Sequence, residues 1–298
     1  NRRRPAEPLS TSRWPRIPRC ARSASSVRLD FPALKMKKPT RWRFLRSLFR
    51  PMFWKIWKDL DRRKQPVRWL PEFLDNHREF LARGGQVDQF FPILYDYADQ
   101  AGSAHGHYFH QDLLVARLIH EANPSRHIDV GSRIDGFIAH VAAFRPVEIM
   151  DVRPLKETGH ANIRFLQADL MKEGHAPAEI ADSVSCLHAL EHFGLGRCTD
   201  PIMPDGHLRG FANLLRMLKP GGTLYVSFPI GRRAQVCFNA HRIFAPRDIL
   251  SWPTGDCRIE LTRFDYVDDQ GDLHQDVALV GEGPQLEYGC GIYSFRKV

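Results

Sequence analysis

Between residues 126 and 230, short apolar runs alternate with helical stretches, and this rhythm constrains the fold more than any other feature of the chain. The runs are RHIDV (126–130), VEIMD (147–151), NIRFLQAD (162–169), DSVSCLHAL (182–190) and TLYVSF (223–228), each bounded by turn residues. Runs this short and this continuously apolar read as strands covered on both faces. Strands that alternate with helices build crossover units, so the pattern predicts a doubly wound α/β fold with a mostly parallel sheet. Upstream, HQDLLVARLIHEA (110–122) places Leu113, Leu114, Ala116, Leu118 and Ile119 on one helical stripe, and Pro124 stops it. GCGIYSFRK (289–297) reads as the last strand.

Charge divides the chain. Residues 1–70 hold 21 Lys+Arg against 4 Asp+Glu, whereas residues 71–298 hold 22 against 30, so a net of +9 splits into a basic arm and a mildly acidic body. Residues 1–35 mix Arg, Pro and Ser without apolar periodicity, a composition that does not repay ordering entropy, and are expected to be a disordered leader. Met36 is a candidate natural start, which would put that leader outside the natural protein. Residues 36–104 are expected to form a basic, aromatic helical region and residues 105–298 the main domain.

Within the arm, residues 40–64 interleave Trp42, Phe44, Phe49, Trp54 and Trp57 with Arg and Lys at roughly helical spacing. Such a face suits contact with a membrane surface or a protein groove, or packing on the body. No recognised nucleic-acid motif accompanies the charge, so that partner is disfavoured. Six cysteines at 20, 186, 198, 237, 257 and 290 contain no CxxC pair and read as reduced thiols of a cytoplasmic protein, with the arm as the part that would lie on the inner face of a membrane. No uncharged apolar run reaches the length of a transmembrane helix.

The chemistry concentrates at strand ends. The first strand runs into Asp129-Val130-Gly131-Ser132-Arg133-Ile134-Asp135-Gly136, a turn whose glycines let the backbone approach a ligand. Asp151 ends the second strand, 22 residues beyond Asp129, where a doubly wound fold places an acid for ribose hydroxyls. Asp169 ends the third, in QADL, where a carboxylate suits an adenine amino group. Each acid alone reads as readily as a cap or turn residue.

These residues, with the segments LHALEHF (187–193) and LLRMLKPGGTLYVSFP (214–229), resemble the class I S-adenosylmethionine-dependent methyltransferases over about 126–230. GSRIDGF, LHALEHFGLGR and FNAHR (238–242) further resemble an uncharacterised methyltransferase-like family. The resemblance implies a seven-stranded Rossmann-like sheet and S-adenosylmethionine as cofactor. It also implies cofactor contacts at Asp129, Gly131, Ser132, Arg133, Gly136, Asp151, Asp169, Leu170 and His188. The chain departs from the usual Asp-x-Gly-x-Gly-x-Gly loop: Arg133 and Asp135 stand at the second and third glycines, and Gly136 comes one residue late. Arg133 would either crowd the methionine end of the cofactor or pair with its carboxylate.

Three rivals are weaker. The dinucleotide pattern needs a middle glycine that this loop lacks, and Asp135 would face a pyrophosphate with like charge. His188-Ala-Leu-Glu191-His192 matches an H-x-x-E-H zinc-protease pattern, but the strand before it keeps His188 out of a helix interior. HGHYFHQD (105–112) offers three histidines on a loop with no cysteine nearby in sequence, so no metal is expected; Tyr108 and Phe109 read instead as pocket walls. The acidic run Asp265, Asp268, Asp269, Asp272 and Asp276 reads as a solvated hairpin.

Glu191, His192 and His241 follow the fourth and fifth strands and are the candidates for taking a proton from an acceptor. The expected acceptor is a small molecule or glycan-type hydroxyl. The rival reading is a non-catalytic domain of the same fold, a binding or membrane-docking module.

Overall fold

The computed structural model describes residues 66–298 apart from 173, 174, 198 and 199; the leader 1–35 and the aromatic segment 40–64 lie outside the described residues. The chain divides into two units, residues 1–99 and 100–298. In the first, helix α1 (Leu70–Ala82) starts with Pro71 in its first turn, where a missing N–H costs nothing. Leu70 and Leu94 make its small core with Trp69, Phe73, Leu74 and Phe90.

The second unit opens with α2 (His107–Ala122), which ends where Asn123 turns left-handed (φ 43°) ahead of Pro124. Strand β1 (His127–Val130) leads through a π turn (Ile134–Ile138) into the short α3 (Ala139–Ala142). Then come β2 (Val147–Asp151), β3 (Ile163–Gln167) and β4 (Ala181–Leu187). Helix α4 (Gly206–Met217) feeds β5 (Leu218–Ile230) directly, and β6 (Gln235–Cys237) pairs with β7 (His241–Ile243) as a separate ribbon. β8 (Ile259–Val267), β9 (Leu273–His274) and β10 (Gly289–Lys297) complete the main sheet.

That sheet has the order β3-β2-β1-β4-β5-β10-β8-β9. The first five strands are parallel, and β10 runs antiparallel between β5 and β8. The fold is thus the doubly wound, mostly parallel α/β arrangement expected. Its eighth strand, beyond the seven predicted, is the two-residue β9, made by the turn that follows β8.

Strand parity sorts the core into two layers. On one face Ile128, Val130, Val184, Cys186, Leu224, Val226 and Phe228 pack with Phe211, Leu214 and Leu215 of α4. On the other, Ile149, Leu187, Tyr225 and Ile292 pack with α2 and with Phe137 and Ile138 of the π turn. Cys186, Cys237, Cys257 and Cys290 are free thiols. No helix among the described residues is long and apolar enough to cross a membrane.

The second face also buries a polar chain. Ser185 Oγ donates to Asp129 Oδ2 (2.6 Å) and lies 3.1 Å from His127 Nε2, whose other ring nitrogen is 2.9 Å from Ser183 Oγ. With Ser185 donating to the carboxylate, it accepts from Nε2–H, so His127 is neutral with its proton on that nitrogen. Burial, aided by the charge of Arg145, pushes the His127 pKa down to about 3. Burial raises the Asp129 carboxyl to about 6 against the lowering effect of its three hydroxyl and amide donors.

These shifts act in opposite directions on stability. Between pH 6.5 and about 3 the unfolded chain binds a proton at residue 127 that the folded chain refuses, so folding weakens as pH falls. His207, pushed down to about 4 by burial and then by Arg242, adds to the same slope. Asp129 holds a proton in the folded state between its ordinary value of 3.8 and about 6, so it stabilises on the acid side and offsets part of the loss. His107, also pushed down to about 4 chiefly by burial, adds a third such histidine, so we expect urea denaturation to show a loss of about 3–4 kcal/mol between pH 6.5 and 5, on a scale of about 1.4 kcal/mol per pH unit for each. His127→Gln should flatten that slope, and an unchanged slope in the variant would contradict the assignment.

Asp265 corrects the reading of a wholly solvated acidic hairpin. It is fully buried on β8, held by the fork of Arg263 at 2.7–3.1 Å, and it accepts the Asp276 amide at 2.8 Å. Residues two apart in a strand share a face, which is why this pair forms.

Candidate functional site

Strand order reverses between β1 and β4, and in open α/β sheets ligands bind beyond the carboxyl ends of the strands at such a switch point. A cavity of about 280 Å³ lies there, walled by Gly131 after β1, Asp151 at the end of β2, Asp169 and Leu170 after β3, and His188 and Ala189 after β4.

Gly131 sits at φ +74°, and a Cβ on it would lie 2.9 Å from the Ala189 methyl. Its amide is already committed to Met150 O (2.9 Å), so the turn has no slack. Only glycine fits here. Asp129 and Ser132 do not line the cavity; they build its wall from behind. The Ser132 amide and hydroxyl both donate to the Asp129 carboxylate, and the same hydroxyl accepts the Leu187 amide (3.0 Å), tying the β1 turn to the end of β4. Gly136 is likewise outside the lining: a Cβ there would strike Asp112 Oδ2 at 2.5 Å, so it is a packing glycine under α2.

Arg133, which stands where a glycine is usual, lies over the Tyr108 ring (5.1 Å) and forms a two-pronged pair with Asp135. The Asp135 carboxylate, fully exposed, is held below its ordinary range by Arg133. Arg133 therefore borders the cavity with its charge partly answered. Asp151 accepts three bonds from Arg153, one from the amide (2.8 Å) and two from the guanidinium (3.0 and 2.7 Å). Asp169 accepts the Met171 amide (3.0 Å) and leaves its other oxygen toward Lys172 (3.8 Å).

A second cavity of about 460 Å³ adjoins the first, and Tyr108, His188, His192 and Arg197 line both. Its remaining wall includes His107, Glu191, His241 and Tyr288. The three expected proton acceptors, Glu191, His192 and His241, thus come together at one opening. His188, at φ +49°, leaves β4 in a left-handed turn, and Leu190–His192 forms a single 3-10 turn rather than a helix. Glu191 is buried and accepts His188 Nδ1 at 2.9 Å. His192 Nδ1 donates to Ala240 O (2.7 Å), and the remaining nitrogen, Nε2, lies 3.2 Å from the donor Nη1 of Arg197. Burial lowers the His192 pKa; Glu191 opposes that shift and Arg197 adds to it.

Phe109, expected to wall the pocket, lines neither cavity, whereas its neighbour Tyr108 lines both. Sequence reasoning passed over Arg197 and Tyr288. Tyr288 precedes β10, about 100 residues from the β4 turn, and it is held by Asp269, whose carboxylate accepts the Glu287 and Tyr288 amides at 2.8–3.1 Å. No local pattern in the chain marks that long-range link.

A family model described as "Caenorhabditis protein of unknown function, DUF268" matches residues 158–250, under a third of the chain. No curated protein matches. Among solved structures, the [4+2]-cyclase SpnF is similar with a TM-score of 0.46 and 19% identity, over 65% of this chain and 86% of its own. The N-methyltransferase NodS from Bradyrhizobium japonicum WM9, in complex with S-adenosyl-L-homocysteine, has a TM-score of 0.41 and 14% identity, over 68% and 91%. The 1,6-didemethyltoxoflavin-N1-methyltransferase from Burkholderia thailandensis has 0.44 and 14%, over 72% and 94%. The fold assignment rests on the chain's own sheet order.

Proposed function

We propose that the chain is an S-adenosylmethionine-dependent methyltransferase whose first cavity takes the cofactor and whose second takes a small-molecule or glycan-type hydroxyl acceptor. The observation that carries this reading is Gly131: a turn that admits no side chain, at the switch point, facing a strand-end carboxylate across a cavity. The residues present fit the group. Asp151 would take the ribose hydroxyls, with the half-exposed Arg153 side chain turning outward to release carboxylate oxygens. Asp169 and Leu170 would hold the adenine between a polar edge and an apolar wall. Arg133 would meet the methionine carboxylate, stacked as it is on Tyr108.

When bound, the cofactor supplies an activated methyl group for in-line transfer. The protein's contribution is then to align the acceptor, an effect that can reach ~7–11 kcal/mol. A hydroxyl acceptor also loses a proton, and His192, which lines the second cavity, would receive it at Nε2 in place of the Arg197 contact that nitrogen now has (3.2 Å); such a base is typically worth ~10²–10⁴-fold.

Isothermal calorimetry of the full chain with S-adenosylmethionine tests the reading. We expect saturable binding below millimolar ligand, weakened by roughly tenfold or more in Asp151→Ala, the scale of one lost charge-assisted hydrogen-bond pair. Absence of binding at millimolar ligand would remove the enzyme assignment. An Asp151→Ala variant binding like the parent would remove Asp151 from the ribose site.

A further inference from the structure

Three elements distant in sequence bring soft and borderline metal ligands to one point. His107 opens α2, His188 leaves β4, and Cys290 lies near the start of β10, which runs antiparallel to β5 and so brings Cys290 to the carboxyl edge of the sheet beside Pro229. One ligand atom from each, two imidazole nitrogens and a thiol sulfur, lies within 4.8 Å of the other two. A tetrahedral ion with bonds of ~2.1 Å to nitrogen and ~2.3 Å to sulfur separates its ligand atoms by roughly 3.4–3.7 Å. Side-chain rotations on the order of 1 Å close the cluster to that spacing.

The surroundings are those of a metal site. The His188 side chain is 5% exposed, its Nδ1 is engaged by the buried Glu191 carboxylate, and its Nε2 is buried with no hydrogen bond of ordinary length, the Cys290 thiol being the polar group that the ring meets. A buried, unsatisfied imidazole nitrogen is costly unless something occupies it. Metal-bound histidines commonly donate their second ring N–H to a carboxylate or a backbone carbonyl, which fixes the ring. His188 has such a carboxylate in Glu191, and His107 has such a backbone partner in Tyr288. The two rings are stacked, 14° from parallel with centroids 5.4 Å apart, so one of them must turn for both lone pairs to meet a common ion.

We propose that His107, His188 and Cys290 bind a first-row transition dication, zinc by preference, with Glu191 as the positioning residue behind His188. One thiolate and two imidazoles select zinc over magnesium or calcium, which take oxygen ligands. Binding converts the Cys290 thiol to thiolate and releases its proton to solvent. Both histidines line the second cavity, so a position left open by the protein lies on that side and takes an oxygen ligand. Only the role of that oxygen as a methyl acceptor rests on the function proposed above; the metal site itself does not.

The test uses the full chain stripped by a chelator and titrated with Co²⁺ and Zn²⁺ alone. We expect uptake of one equivalent, a thiolate-to-cobalt charge-transfer band in the near ultraviolet, and displacement of cobalt by zinc. Cys290→Ser should lose the band while keeping the parent's thermal unfolding midpoint. His107→Gln, at a half-buried position that folding tolerates, should weaken zinc binding at least as much as Glu191→Gln, for which roughly 10–100-fold is expected. No uptake at tens of micromolar free metal, on the order of a weak exposed site, would overturn the proposal, as would a charge-transfer band that survives Cys290→Ser. Calorimetry with S-adenosylmethionine on the metal-free chain reports separately, so failure of the metal site and failure of the methyltransferase reading give different results.

Discussion

Arg242→Met is expected to cost about 3–5 kcal/mol and to lower Tm by roughly 10 °C, because a buried cation and its partners are lost together. Arg242 is 4% exposed on β7, yet its guanidinium reaches the loop after β4 from below. Nη1 donates to the carbonyls of Phe193 (2.7 Å) and Glu191 (3.2 Å), and Nη2 to that of Pro204 (3.1 Å). Methionine fills much of the volume but takes the donor from three carbonyls, of which that of Glu191 is buried and those of Phe193 and Pro204 only partly so; a stranded buried carbonyl costs about 1–3 kcal/mol. The loop it releases carries His192 and Arg197, so both cavities should lose definition before the sheet unfolds. Arg242→Lys should recover only part of the loss, since a single ammonium cannot span the three acceptors as a planar fork does. Thermal and urea unfolding measure the effect; a methionine variant melting within about 2 °C of the parent would show that these bonds carry little of the loop's stability.

Gly131→Val should eliminate detectable S-adenosylmethionine binding and destabilise the fold by about 2–4 kcal/mol. The backbone there is left-handed, a conformation that costs a non-glycine residue ~1–3 kcal/mol and a β-branched one more. The added Cβ meets the Ala189 methyl at 2.9 Å, and the amide bond to Met150 O prevents the turn from backing away. Any relief must push Ala189 toward the cavity, which narrows the space where the cofactor would lie. Gly131→Ala should fall between parent and valine in both stability and affinity. Calorimetry beside thermal unfolding tests the series, and a valine variant with parental affinity would show that this turn is not the cofactor cradle.

The first five strands and the last, β10, were readable from the chain because each property involved is local, whereas β6, β7 and β8 were not. A short continuous apolar run, a glycine between strand and helix, and an acid closing a strand all declare themselves within about ten residues. The predicted bounds of β2 (147–151) and β10 (289–297) agree with the structure. What depended on side-chain direction was less legible. Asp129 has the opposite parity to Ile128 and Val130, so it points to the other face of the sheet and supports the turn instead of lining the cavity. Asp265 lies among four other acids, and only its placement two residues after Arg263 on one strand hints that it is neutralised and buried. Cys290 and Tyr288 were out of reach altogether. Their approach to His188 depends on β10 inserting next to β5 in the antiparallel sense, a long-range choice that no window of sequence encodes.

Tyr108, His188, His192 and Arg197 form a party wall between two chambers. Side chains that face two ligands cannot be ordered for one without being ordered for the other. Whatever free energy the first ligand spends on fixing those four residues, the second need not spend again, and linkage makes the gain identical in either order of arrival. On the function proposed above, an acceptor would therefore tighten the hold on the cofactor by the same factor as the cofactor tightens the hold on its acceptor.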